Sequence, residues 1–165
     1  MKLLKLALVL SSLAITPACV EKQGEMQEGA SLDSVSILAD TAWRLVEIRS
    51  AGVQSGGQEV SASEVYTLRL QADGSVTLRL DCNRGFGRWV ATPQKDGNAG
   101  GIKISDVGVT KAMCPPESIS DRVTADLDSI ANFALVDGSL LTFLEDGSTS
   151  YVWVPLDDAD IVDAE

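Results

Sequence analysis

The chain has 165 residues, 45% of them hydrophobic, which suits one domain with a single core. Its 24 acidic and 13 basic residues give a formal net charge of −11, which argues against nucleic acid or an anionic lipid surface as a partner, because both repel a strongly acidic protein. Histidine is absent, which excludes Ser-His-Asp and Cys-His catalysis and zinc sites with histidine ligands.

Residues 1–18 are predicted to be a signal peptide. Lys2 and Lys5 precede an apolar stretch over residues 6–15, and the small residue Ala18 ends the segment. The apolar stretch of about ten residues is too short to span a membrane as a helix, which needs about twenty. We therefore expect the chain to be exported and this segment to be removed.

Cys19 follows Ala18 directly and resembles the cysteine of the lipobox in bacterial lipoproteins, which receives diacylglycerol and becomes the new amino terminus. The resemblance implies a lipid anchor at Cys19. Val20, in place of the aspartate linked to inner-membrane retention, points to the outer membrane. The alternative is ordinary cleavage after Ala18, which leaves a free thiol.

Residues 19–39 are polar and contain glycine, and they show no helical or strand period, so we expect a flexible, lipid-anchored tether. At the other end, residues 155–165 carry five carboxylate side chains and no basic one. Such a run is usually a solvated tail. The folded domain is predicted to occupy residues 40–154.

The pattern within this domain is mostly of period two. Residues 66–70 and 76–80 alternate on either side of Asp73-Gly74, which predicts an antiparallel hairpin. Further Asp-Gly pairs separate the runs FALV, SLLTFL and STSYVWV, which predicts a three-stranded meander, and shorter strands are expected at WRLVEIR, FGRWVA and GIKIS. Such a mainly β chain predicts a small antiparallel barrel or a strongly curved sheet, because closure removes exposed strand edges.

One amphipathic helix is predicted over residues 116–132. Ile119, Val123, Leu127 and Ile130 recur at helical spacing after a Pro-Pro pair. A single helix in a β domain must bury its apolar side. We therefore expect this helix to lie across the barrel and cover an opening.

The two remaining cysteines are Cys82 and Cys114. Counting by twos from Val76 places Cys82 inside the barrel, and an exported protein meets an oxidising compartment, so we expect a disulfide between them. Closing a loop of about thirty residues stabilises a fold by about 3 to 4 kcal/mol on the chain-entropy model. The alternative is two buried free cysteines that act as small hydrophobic residues.

The segment after Asn83 contains Gly85 and Gly87 but lacks the spacing and the Lys-Ser/Thr of a phosphate-binding loop, so a tight turn or a bulge between strands is expected there. Of Arg84, Arg88 and Trp89, we expect the tryptophan to lie in the core and the arginines to be solvated. The alternative is that the three form a small cationic and aromatic patch.

Several of these residues together resemble the META/HslJ domain of bacterial envelope lipoproteins. The residues that carry the resemblance are Trp43 and Leu45, then Cys82, Asn83, Gly85 and Gly87, then Thr110, Met113 and Cys114, and finally Asp137, Gly138 and Leu140. Asp81 stands where that family usually has glycine. The resemblance implies a small β-rich, barrel-like domain and an association with envelope stress and drug tolerance. It implies no enzymatic activity, so it supplies no catalytic residues and no cofactor.

We therefore expect a non-enzymatic envelope lipoprotein, with the membrane as a partner through the anchor at Cys19, an unidentified periplasmic protein or small ligand as a second partner, and no nucleic acid. The alternative is a barrel-type binding module in the periplasm, either a protein inhibitor or a carrier of a small ligand. A third class, an enzyme that uses Asp81 with Glu64 or Glu145 on glycans, has no motif that places two carboxyl groups together.

Overall fold

The computed structural model describes residues 37–52 and 56–156. Its strands are β1 (Thr41–Ser50), β2 (Gln58–Glu59), β3 (Tyr66–Leu70), β4 (Ser75–Leu80), β5 (Asn83–Pro93), β6 (Ala99–Val109), β7 (Ile130–Val136), β8 (Ser139–Leu144) and β9 (Thr149–Pro155). A helix α1 (Ser120–Asp126) and a 3-10 turn (Leu127–Ser129) lie between β6 and β7. The predicted signal peptide, the anchor at Cys19 and most of the predicted tether and tail fall outside the described residues.

The strands form one closed antiparallel barrel. Eight strands follow one another around it in chain order, and β1 closes it by pairing with β9 from Trp43 opposite Pro155 to Ser50 opposite Thr149. The short β2 adds to β1 on the side of β3. The prediction of a small, mainly β barrel is confirmed, and closure gives each of these eight strands a partner strand on both sides.

Asp-Gly turns set the register of the predicted hairpins. Val136 pairs with Ser139, and the two loop residues between them, Asp137 and Gly138, have φ values of 50° and 79°. Two positive φ angles in a two-residue loop define a type I′ turn, whose twist matches that of the flanking strands. The predicted meander over β7, β8 and β9 is confirmed.

Large side chains fill the interior of the barrel. An eight-stranded barrel is just wide enough for its own side chains to fill it. The largest interior residues, each almost fully buried, are Trp43, Tyr66, Trp89, Phe133, Tyr151 and Trp153. Leu38 is also completely buried in this core, so the folded domain already includes the turn before β1 and begins ahead of the predicted boundary at Asp40.

Each indole N–H inside the barrel has an acceptor. Trp43 Nε1 donates to Thr41 Oγ1 (2.7 Å), and Trp153 Nε1 donates to Thr142 Oγ1 (3.1 Å). Trp89 Nε1 donates to a backbone carbonyl, that of Gln71. Since a buried donor without an acceptor is costly, these bonds allow all three tryptophans of the chain to lie in the core.

The helix is shorter than predicted over residues 116–132. Val123 and Leu127 are buried as expected, but Ile130 has extended backbone and begins β7. A bulge follows Ile130, so Ile130 and Phe133 both face the interior although they are three residues apart. The three-residue spacing from Leu127 to Ile130, both buried, fits a helical period, which is why the sequence pattern extended the helix too far.

The helix covers a gap in the barrel wall. β6 pairs with β7 only through residues 99–101, and the rest of β6 has no partner on that side in the described residues. The 3-10 turn contacts β6 and α1 contacts β4, so the helical segment fills the space next to the unpaired part of β6. Within residues 37–52 and 56–156, no helix has the length and apolar character needed to cross a membrane.

Candidate functional site

The residues singled out in the sequence meet at one end of the barrel, beside α1. Cys82 lies in the loop between β4 and β5, and Cys114 lies between β6 and α1. Their Cα atoms are 5.5 Å apart, which places the two side chains at disulfide-bonding distance. The position of both cysteines therefore supports the predicted pairing.

Cys82 does not face the interior, so the count by twos from Val76 was wrong at this residue. The alternation of β4 ends at Leu80, because Leu80 pairs with Asn83 and the chain turns through Asp81 and Cys82. Asp81 has a φ of 60°, a conformation that glycine adopts most easily. The inward position belongs to Asn83, which is only 4% exposed.

Asn83 is the centre of a hydrogen-bond network that joins three segments. Its Oδ1 accepts from the Ala112 N–H (2.8 Å) and from Thr110 Oγ1 (3.1 Å). Its Nδ2 donates to Ser120 Oγ at the start of α1 (3.1 Å) and approaches Cys114 Sγ (3.2 Å). Both donors and both acceptor lone pairs of the amide are therefore used, as a buried amide requires.

Thr110 prolongs the pairing of β6 with β5 beyond the last strand residue. Its N–H donates to the Arg84 carbonyl (2.9 Å), and its Oγ1 accepts from the Arg84 N–H (2.9 Å). The same hydroxyl donates to Asn83. This double role of backbone and hydroxyl gives a structural reason for a threonine at the start of the T-x-x-M-C motif.

Two tyrosines hold the helical segment against the barrel. Tyr66 Oη accepts from the Ile119 N–H (2.9 Å), just before α1, and donates to Glu64 Oε2 (2.8 Å). At the other end, the Tyr151 hydroxyl donates to Asp126. Burial raises the pKa of Tyr66 to about 12, and burial with the neighbouring Asp126 carboxylate also raises the pKa of Tyr151.

Sequence reasoning missed Tyr66 and Ser120 as parts of this site. Both look like ordinary alternating or helical residues, and their polar contacts join positions 53 and 37 residues apart. The available signal was that a buried tyrosine needs a partner for its hydroxyl. Met113, by contrast, belongs to the family motif but is 100% exposed, and nothing in the described residues explains its presence.

The glycines after Asn83 lie inside a strand and not in a turn. Gly85 and Gly87 both belong to β5 and face the interior. The pairing with β6 shifts between Phe86 and Arg88, so the expectation of a bulge is confirmed and that of a tight turn is wrong. A Cβ atom on Gly87 would lie 2.8 Å from the Ser105 carbonyl oxygen, so the close approach of β6 requires glycine.

Trp89 lies in the core, as expected, so the alternative of a cationic and aromatic patch that includes Trp89 is not formed. Arg84 and Arg88 do point outward from β5, and the aromatic residue between them is Phe86. Its side chain is 68% exposed. Starting the alternation at Asn83 instead of Cys82 would have placed Phe86 on the outer face.

The carboxylates considered for catalysis do not form a pair in the described residues. Glu64 accepts the hydrogen bond of Tyr66, and Glu145 lines an open, polar pocket with Arg122 and Asp126 on the far side of the helix. Neither contacts Asp81 through a described hydrogen bond.

In the described part of the chain, no three His, Cys, Asp or Glu side chains converge to hold a metal ion. A smaller pocket, of about 250 Å³, is lined by Asn83, Thr110 and Ala112 of the network together with Val109, Lys111, Asp121 and Thr124.

Comparisons with known proteins agree with this architecture. A protein from Burkholderia xenovorans solved by NMR is similar, with a TM-score of 0.58, 18% identity, and coverage of 92% of this chain and 99% of its own. A DUF4847 family protein from Bacteroides vulgatus ATCC 8482 has a TM-score of 0.50 and 15% identity, over 72% of this chain and 94% of its own. At these identities the likeness concerns the fold alone. No curated protein matches the sequence.

The family itself is defined by a sequence match over most of the domain. The META domain model matches residues 36–155, which include every strand of the barrel and the cysteines, asparagine and threonine of the network. The resemblance inferred from the motifs is thereby confirmed. The chain belongs to the META domain family.

Proposed function

We propose that this protein is a non-enzymatic lipoprotein of the bacterial envelope, anchored through Cys19 and facing the periplasm from the outer membrane, where its META domain supports tolerance of envelope stress or of drugs. The observation that carries the proposal is the position of Cys82 and Cys114 at disulfide distance. Such a pair is typical of proteins in an oxidising compartment, and the predicted signal peptide would direct export of the chain to the periplasm.

The geometry of the motif residues supports a structural role over a catalytic one. Every polar atom of the Asn83 side chain already has a partner within the domain. Thr110 and Tyr66 are committed in the same way to neighbouring strands and to the helix. A catalytic group needs an atom that is available to a substrate, and these residues present none.

The anchor is tested by expressing the full chain in a bacterium with a labelled fatty acid and measuring the mass of the mature amino-terminal peptide. We expect diacylglycerol on Cys19, and Cys19→Ser should lose the label. The matched control, Cys82→Ser with Cys114→Ser, keeps Cys19 and should retain the label. A cleaved chain with a free Cys19 thiol, or an unprocessed chain in the cytosol, would contradict the anchor.

The stress role is tested by deleting the gene in its host and measuring survival under envelope-damaging conditions and drugs. Survival should fall, and the wild-type chain should restore it. Asn83→Ala should restore it poorly, because the variant loses the link between barrel and helix. Unchanged survival of the deletion strain under all conditions would count against the stress role and leave the anchor untouched.

The alternative function is a barrel-type binding module. The described barrel interior is filled by its own aromatic residues, so a carrier of a small ligand inside the barrel gains no support from this fold. A binding module would have to use the outer surface, where Phe86 and Val90 are exposed.

A further inference from the structure

The positive charge of this acidic protein is concentrated on one outer surface. Of the ten Lys and Arg residues in the described part of the chain, seven point outward from the neighbouring strands β1, β3, β4, β5 and β6, and six of the seven, all but Arg49, belong to one surface. We call this surface the basic face; its residues are Arg44, Arg69, Arg79, Arg84, Arg88 and Lys103. The net charge of the whole chain therefore does not describe the charge that a partner would meet here.

The strand register makes the basic face continuous. Arg79 lies directly opposite Arg84, and its other neighbour, Thr67, lies opposite Arg44. These cross-strand neighbours form one row of outward side chains, and the next such row contains Arg69 and ends at Phe86. Adjacent strands are about 4.8 Å apart, so these side chains form one surface and not separate charges.

Carboxylates are missing from these rows and lie only at their margins. Asp73 and Asp81 are in the turns at the two ends of β4, and Asp106 is in the bulge of β6. The pKa of the Asp73 carboxyl is lowered mainly by its hydrogen bonds from Ser75, and the nearby positive charge of Arg88 lowers it further. The middle of the basic face holds only Arg, Lys, Thr, Ser and apolar side chains.

None of the six cations of the basic face forms a salt bridge with a described residue. In residues 37–52 and 56–156, the only salt bridge joins Arg49 to Glu47, outside this face. The buried Nε of Arg79 has no hydrogen-bond partner among the described residues. Like charges directly opposite each other destabilise a sheet, so the Arg79 and Arg84 pair costs stability that folding alone does not explain.

Apolar side chains stand between these cations on the same surface. Along the outer side of β5, Arg84, Phe86, Arg88 and Val90 follow one another, and Phe86 and Val90 are 68% and 55% exposed. Arginine binds phosphate through two parallel hydrogen bonds, and exposed apolar side chains gain by leaving water. A surface that offers phosphates above an apolar layer would satisfy both kinds of side chain.

We propose that the basic face binds the anionic headgroups of a phospholipid bilayer, with Phe86 and Val90 placed at the boundary of the acyl chains. The convex wall of a barrel offers side chains from five strands to a deformable surface, which favours a bilayer over an extended acidic peptide. This inference deepens the proposed function, because an anchor at Cys19 would hold the domain beside such a surface. Its test, however, needs no anchor.

The test uses the chain without residues 1–19, since the barrel closes between β1 and β9 and all of its described strands and core lie within residues 37–156. Binding is measured by sedimentation with vesicles of phosphatidylglycerol and phosphatidylcholine, and with vesicles of phosphatidylcholine alone. We expect binding to the anionic vesicles only, weakened by added salt.

Charge variants assign the binding to the basic face. One basic side chain near an anionic bilayer strengthens binding about five-fold, so Arg88→Gln with Lys103→Gln should weaken it about thirty-fold. The matched control, Arg49→Gln with Lys95→Gln, removes the same two charges from exposed positions elsewhere and should bind nearly as the wild type does. Equal weakening by both double variants would overturn the proposal.

An apolar variant tests the contribution of Phe86. Phe86→Ser should weaken vesicle binding several-fold, whereas Val136→Ser, at an exposed position on β7, should not change it. Circular dichroism and urea midpoints check that all variants remain folded. Absence of wild-type binding to anionic vesicles overturns the proposal, and so does preferential binding of soluble polyglutamate, which would indicate an acidic protein partner. Either result leaves the test of the Cys19 anchor unaffected.

Discussion

Removing the side chain of Asn83 should destabilise the domain by about 3 kcal/mol. Asn83→Ala breaks three conventional hydrogen bonds, those with Ala112, Thr110 and Ser120. Each is worth about 1 kcal/mol net, and Ser120, one of the partners left behind, is buried. Since small domains are stable by only about 5 to 15 kcal/mol, the loss should be easy to measure.

The assay is urea unfolding followed by tryptophan fluorescence, with the cysteines oxidised in every sample. Ser120→Ala breaks one of the three bonds and should cost about 1 kcal/mol. Asn132→Ala makes the same substitution as the test variant at an exposed position on β7, and should cost less than about 0.5 kcal/mol. If Asn83→Ala were as stable as Asn132→Ala, the network would not hold the helix to the barrel.

Three further predictions concern the disulfide, a glycine and a tyrosine. The loop between Cys82 and Cys114 spans 32 positions, so replacing both cysteines by serine should lower the free energy of unfolding in urea by about 3 to 4 kcal/mol. Alkylation of these cysteines in most molecules without reductant would refute the bond itself. Gly87→Ala should destabilise the domain by about 1 to 3 kcal/mol, because the new Cβ atom would lie 2.8 Å from a backbone oxygen. The control Gly101→Ala should be nearly neutral, because the nearest atom to its new Cβ would be 3.8 Å away. Equal effects of the two substitutions would contradict the close approach of β6. The pKa of Tyr66 is raised from 10.0 to about 12, so the folded state keeps the hydroxyl proton to a higher pH than the unfolded state does. The free energy of unfolding should therefore fall as pH rises from about 10 to 12. Tyrosinate absorbance at pH 10 that is as strong in the folded protein as in urea would rule this out.

The hairpins were predictable because local residues determine them. Asp-Gly turns with positive φ at glycine, followed by alternating apolar residues, placed β3, β4, β7, β8 and β9 correctly. The error at Cys82 arose because the loop of Asp81 and Cys82 contains no glycine to mark a turn. Without that turn, the alternation continued one residue too far and assigned the inward position to the wrong side chain.

The rest of the site depends on contacts that no local pattern contains. The two-residue strand β2 is too short to show a period. Bulges in β1, β6 and β7 change which residues face inward, and their position depends on the partner strand. The basic face arises in the same way, since its six cations come from five strands that only the register brings together.

The pairing of β1 with β9 also decides when this protein can reach its native state. Among the described strands, β9, which closes the barrel, is the last to be made, and its partner β1 is the first, about a hundred residues earlier. Before β9 emerges, β1 can pair with β3 but lacks its second neighbour, so the barrel cannot close around its aromatic residues. β9 must therefore be made before the native state forms, and until then a transport or quality-control machinery meets the domain as an unfolded substrate.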